Sequence, residues 1–230
     1  MALARVGSVH TGTNTTFAST VTTASWTSVS GNALIAIAEA DVVAQNGITI
    51  SDNKGNTWNR VISTAVASTF DLEVWVALNI TGGATHTVTA ADNGGGVDSL
   101  IIVEEWSGVA LASAIDKFAG ASGTSTAANS GATAATTQAD ELVIGAVVAS
   151  GNRTFTAGAG FSNGNKVNTT FSSLFFESQI VAATGAQTAT ATISASVSWA
   201  CQVATFKAAV TNPVGKSLIV RQAANRASTY

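Results

Sequence analysis

Apolar positions in this chain either alternate with polar ones or run together in short blocks, and nowhere do they hold the 3.6-residue period of an amphipathic helix. Leu72, Val74, Val76 and Leu78 alternate with Asp71, Glu73, Trp75 and Ala77, which puts the two sets on opposite faces of a strand. Thr85, Thr87 and Thr89 oppose His86, Val88 and Ala90 in the same way. Turn signals separate these runs: Asn46-Gly47, Asp52-Asn-Lys-Gly55, Asp92-Asn-Gly-Gly-Gly96, Ser150-Gly-Asn152 and Asn163-Gly164. Asn, Asp and Gly there supply the positive φ angles that hairpins need. The alanine-rich stretch from Ala119 to Ala135 is broken by Gly120, Gly123 and Gly131, so it reads as a loop or edge strand and not as a helix.

The pattern repeats. Ser30-Gly-Asn-Ala-Leu-Ile-Ala-Ile-Ala38 is echoed by Ala139-Asp-Glu-Leu-Val-Ile-Gly-Ala-Val147, and Thr81-Gly-Gly-Ala-Thr-His-Thr-Val-Thr89 by Thr184-Gly-Ala-Gln-Thr-Ala-Thr-Ala-Thr192. Each half closes on an apolar strand ending in an aromatic, Trp106 in the first and Phe206 in the second. Three matches in the same order mark an internal duplication. The expected fold is all-β: a jelly-roll-like β-sandwich built from two similar four-stranded halves, arranged as a double Greek key with the halves intertwined into facing sheets. The boundaries this suggests are an N-terminal arm over 1–15, a sandwich over 16–210 with pseudo-repeats at about 16–110 and 124–210, and a C-terminal arm over 211–230. Two small sandwiches in tandem are the alternative. They are less favoured because no Pro-rich, Ser-rich or charged linker separates the halves, and each would have a small core.

Composition agrees with strands: 46% of residues are hydrophobic and only 10% charged, with Thr, Ser, Asn and Gly making up much of the rest. The formal charge of −3 argues against a nucleic-acid-binding body. Residues 211–230 carry Lys216, Arg221 and Arg226 and no acid. A basic tail on an acidic remainder suggests an arm that docks on an acidic surface, with a neighbouring copy one option. The N-terminus lacks the apolar stretch of a secretory signal, and no apolar run reaches membrane-spanning length. A cytoplasmically made product with no membrane partner is expected.

Candidate chemistry is sparse. His10 falls in the expected arm, and His86 lies on an apolar strand face where the second repeat has Ala189, which reads as a structural histidine. Cys201 lies in an apolar strand and reads as a small buried hydrophobe. Glu104 and Glu105 point to opposite faces, so they form no catalytic pair; Asp71 and Glu73 share a face, read here as solvated. The turns at Asp52-Asn53-Asn56 and Asp92-Asn93-Asp98 are rich in oxygen ligands for calcium but match ordinary turn chemistry better. Neither a cofactor nor a catalytic residue is expected. Trp75 is the one candidate for surface recognition, where it could stack on a sugar ring or anchor an interface. Trp58 reads as a core plug, and Trp106 and Phe206 as packing residues.

At Asp52-Asn-Lys-Gly-Asn-Thr-Trp58, Leu72-Glu-Val-Trp-Val76, Thr81-Gly-Gly83 and Val103-Glu-Glu-Trp-Ser-Gly-Val109, the chain resembles a β-sandwich module of phage virion and bacterial surface proteins. The resemblance covers the first half directly and the second through the duplication, and it implies a scaffold without catalytic residues. A free-standing module with two short arms resembles, in architecture, the decoration or cement proteins of phage capsids. That implies a virion location, self-association into a homo-oligomer, and attachment to the major capsid or another virion protein. Attachment would run through Lys216, Arg221 and Arg226, with Leu218, Ile219 and Val220 adding as a strand to a neighbouring sheet edge. Oligomerisation would also cover exposed strand edges. A carbohydrate- or receptor-binding module with a glycan on Trp75 is the alternative.

Overall fold

The structure is a computed structural model describing residues 2–16, 18–41, 47–66, 69–94 and 98–210. It is all-β. The first half contributes β1 (Ala4–Asn14), β2 (Thr20–Thr22), β3 (Trp26–Ser28), β4 (Ala33–Asp41), β5 (Ile48–Asp52), β6 (Trp58–Val66), β7 (Phe70–Ala77), β8 (Gly83–His86), β9 (Val88–Asp92) and β10 (Ser99–Ser107). The second contributes β11 (Ile115–Asn129), β12 (Glu141–Ser150), β13 (Phe155–Ala157), β14 (Ser162–Asn168), β15 (Ser172–Val181) and β16 (Thr190–Lys207).

The duplication is visible in the topology. The first main sheet runs β1-β10-β4-β7-β6 and the second β11-β16-β12-β15-β14; in each, the strands taken in chain order lie 1-5-2-4-3. The register matches too, since Ala36 lies between Val103 and Trp75 while Gly145 lies between Val203 and Glu177. Gly31 and Asp140, matched by the sequence repeat, both have positive φ (86° and 58°), as a tight entry into the second strand requires. A small sheet, β2-β9-β5, covers the outer face of the first main sheet. In the second half β11 and β16 run on past their main sheet, and β16 pairs there with β13 and the end of β11 to form the matching cover.

Pairing between named strands stays within each half. The facing sheets therefore come one from each half, and the expected intertwining is not how the strands hydrogen-bond. The two main sheets pack face to face instead. Ile35, Ile37, Leu72, Val74, Val76, Leu100 and Ile102 meet Leu142, Ile144, Val148, Leu174, Phe176 and Phe206 in one core. β1 approaches β14 and β6 approaches β11, while β4 meets β15 and β7 meets β12. Each contact recurs with the halves exchanged, so the halves sit like subunits of an isologous dimer.

Polar bonds cross this seam. Gln202, fully buried, donates its amide N–H to the Leu72 carbonyl (2.7 Å) and to Thr64 Oγ1 (2.9 Å). Asn165 donates to Glu104 Oε1 at 3.2 Å.

Residues 4–14, expected as a free arm, instead form edge strand β1, with a register shift between Val6 and His10. The stretch from 119 to 135 is edge strand through Asn129, as its glycines suggested. The expected C-terminal arm, with Lys216, Leu218, Ile219, Val220, Arg221 and Arg226, lies outside the described residues. No helix of the described residues is long and apolar enough to cross a membrane.

Phe206 fills the seam with no exposed surface. Phe206→Ala should lower unfolding stability by about 3–5 kcal/mol, seen as a lower urea midpoint at an unchanged slope.

Candidate functional site

The carboxylates define the chemistry of this molecule. Of thirteen acidic residues, nine are buried: Glu39, Asp71, Glu73, Asp92, Asp98, Glu104, Glu105, Glu141 and Glu177. The main sheets are apolar on both faces, so most carboxylates on their strands are carried inside. Most are then met by a nearby donor. Trp75 Nε1 donates to Glu73 Oε2 at 2.7 Å and Trp106 Nε1 to Glu104 Oε2 at 3.0 Å. Both are Glu-x-Trp pairs, in which residues two apart share a strand face. Arg60 pairs with Glu73 at 2.9 Å and Arg5 with Glu104 at 3.3 Å. Burial still raises the pKa of Glu73 and Glu104, against the lowering effect of these donors. Asp71 and Glu73 do share a face, but a buried one beneath β5 and not the solvated one expected.

Both histidines meet on one tryptophan. His10 stacks on one face of Trp26 (centroids 3.9 Å, planes 9° apart) and His86 on the other (4.9 Å, 5°). Trp26 Nε1 reaches Glu105 Oε2 at 3.4 Å, while Glu105 Oε1 accepts from Val29 N (2.9 Å) and Asn32 Nδ2 (2.6 Å). Ser28 Oγ shares a 2.6 Å hydrogen bond with His86 Nδ1, and Asp52 Oδ2 stands 3.6 Å from His86 Nε2.

Ser, His and Asp in a row suggest a nucleophile and its base, but the geometry is that of a pin. In a catalytic triad Nε2 faces the serine and Nδ1 the aspartate; here the order is reversed. The 3.6 Å gap exceeds hydrogen-bond length, and Asp52 Oδ2 accepts instead from Trp58 Nε1 at 2.8 Å. Ser28 and His86 are both buried. Burial lowers the pKa of His86 and of His10, opposed in each case by a carboxylate, Asp52 and Glu105 respectively. The column ties β1, β3 and β8 together, which is the structural role read for His86 and a new one for His10.

Asp52 Oδ1 accepts from the N–H groups of Lys54 and Asn56, and Asp92 Oδ1 from Gly94 N. Both are turn-closing bonds. Trp75 is half-buried against the first outer core, with its indole N–H taken by Glu73. Trp58 is likewise half-buried, and Cys201 is fully buried with its thiol pKa raised by burial. A cavity of about 350 Å³ lies among Ala128, Asn129, Ala157, Ala159, Thr190 and Thr192, and its walls hold no titratable group.

Acidic and basic side chains are buried to different degrees. Asp140 is the single exposed carboxylate, whereas none of the seven described Lys and Arg residues is buried. The body is acidic in sequence, yet Arg60 and Lys166 are exposed while most of its carboxylates are buried. Sequence reasoning missed this because a net charge does not record burial; the Glu-x-Trp spacing was the available signal. Compared with known proteins, the chain matches no protein-family model, no curated protein and no solved structure.

Glu177 is the clearest titrating group. It faces Gly145 across the sheet, where an added Cβ would come within 2.6 Å of its Cγ, so the glycine makes room for the carboxyl. Burial lifts its pKa to about 7, against the lowering N–H bonds of Gly158 and Thr190. The folded state then holds a proton that the unfolded state gives up near the ordinary glutamate value. The resulting stabilisation is fully present below that value and is lost as pH rises through about 7. Stability measured by urea unfolding should fall between pH 5 and pH 8, with Glu177 supplying on the order of 3 kcal/mol of the change. Glu177→Gln should flatten that part of the profile.

Proposed function

We propose that this chain is a non-enzymatic structural protein that works by attachment, and that it serves on a virus particle as a capsid decoration protein. The observation that supports attachment is the segregation of charge: nine of thirteen carboxylates are buried, whereas Arg60 and Lys166 are exposed and the other described cations are half-buried. Such a surface favours an acidic partner. The basic residues Lys216, Arg221 and Arg226 add to the same sign.

A second copy of this chain offers these bases little to bind, because its own acids are inside. The acidic partner is therefore a different protein, the shell or another virion component, and any self-association uses strand edges instead. The segment Leu218-Ile-Val220 would supply an added strand beside the basic residues. A glycan platform on Trp75 is less well supported, since its ring is half covered and its N–H is committed to Glu73.

The test compares full-length protein with a variant lacking residues 211–230, by light scattering and by co-sedimentation with particles at low and high salt. The proposal expects both proteins to fold, and particle binding to drop at least tenfold on truncation and to weaken with salt. Full, salt-insensitive binding by the truncated protein would remove it.

A further inference from the structure

Each main sheet ends on two edge strands, and three of these edges are guarded against pairing with another chain. β1 carries Arg5 and breaks register between Val6 and His10, β6 carries Arg60 and breaks between Arg60 and Ile62, and β14 carries Lys166 and breaks between Ser162 and Asn165. A cation and a kink in the ladder are common means of keeping a sheet edge unpaired. β1 and β14 also lie close to one another, one from each half.

β11 lacks these guards. It pairs with β16 in unbroken register from Phe118 to Ser125, a longer run than β1, β6 or β14 holds with its own neighbour. No charged residue and no proline occurs from Phe118 through Ala139. Every residue from Phe118 to Ser125 is exposed or half-buried, and Phe118 is 52% exposed. Among the described residues no strand pairs with the outer side of β11. β6 belongs to the other main sheet and approaches β11 with Thr64 and Ile62 at Gly120, where the missing side chain leaves them room. The open edge is also held in place. Gly123 lets the Trp199 indole lie against the strand, and Trp199 Nε1 donates to Ser125 Oγ at 3.0 Å. A strand fixed in this way loses little freedom on pairing.

We propose that the run Phe118–Ser125 is a self-association edge, on which a second copy of this chain pairs antiparallel to join two sheets into one. Alternate residues of the run turn their N–H and C=O outward, which is a template for another strand. A two-fold axis perpendicular to the sheet and centred near Ala121 and Ser122 lays the run on itself. That register sets Asp116 and Lys117 of each copy opposite the uncharged stretch 125–128 of the other, so no like charges meet. It also brings Phe118 beside the threonines at 124 and 126, covering an exposed ring. The proposal names the edge for the self-association considered above and holds whether or not the protein binds a particle. A contact of this size is small, so the dimer should be weak and in the micromolar range.

The test is sedimentation velocity on purified full-length protein from about 1 µM to about 1 mM, at low and high salt and with no particles present. The expected result is a monomer–dimer equilibrium that salt leaves nearly unchanged, unlike the salt-weakened particle binding. Ser122→Lys and Ser122→Asp, each at an exposed position, should each weaken dimerisation at least tenfold while leaving thermal unfolding of the monomer unchanged. Mixing the two variants should restore it, since the opposed charges then attract. A monomer throughout the range would overturn the proposal, as would dimerisation equal in all variants. A full-length monomer that dimerises only once residues 211–230 are removed would overturn it too, and would make that segment the occupant of the edge.

Discussion

Everything in this fold depends on covering two main sheets that are apolar on both faces. β4 carries Ile35 and Ile37 toward one side and Leu34, Ala36 and Ala38 toward the other, and β12 repeats the arrangement with Ile144 and Val143. Neither sheet can leave a face to water without exposing a large apolar area. The small outer sheets cover one face of each, and each main sheet covers the inner face of the other. A half taken alone would present its inner face to solvent, so the duplication is a structural requirement and not only a record of ancestry.

That constraint also decides where charge goes. A carboxylate on a doubly covered strand has no path to water and must find its donor inside. Glu73 and Glu104 find theirs two residues along the same strand in Trp75 and Trp106, with Arg60 and Arg5 closing the ion pairs from the sheet edges. Glu177 finds space against Gly145 and an N–H from Gly158. Cations on long stems can reach solvent from partly covered positions, whereas short carboxylates cannot. The result is that nine of thirteen acidic residues are buried while none of the described Lys and Arg residues is, on a chain of formal charge −3.

The strands and the duplication were legible because alternation and Thr-Gly turns are local signals that survive in one dimension. Burial of the second face was not. Asp71, Glu73 and Trp75 look like the wet side of a strand until β5 is seen lying across them, and that contact joins residues distant in sequence. β1 was missed for a different reason: its register shifts between Val6 and His10, with Gly7 at φ 67°, so no single alternation runs through it. His10 then appeared to belong to a tail, although it stacks on Trp26 within the sandwich. The facing of one half against the other could not be read at all from pattern, because intertwined and back-to-back halves demand the same apolar residues.

The most direct test of the shared inner core is calorimetric unfolding of the full-length protein. If the two halves depend on one another's inner faces, heat absorption should follow a single transition whose calorimetric and van't Hoff enthalpies agree. Two resolved transitions, each accounting for about half of the total enthalpy, would show that the halves are independent domains and would contradict the account.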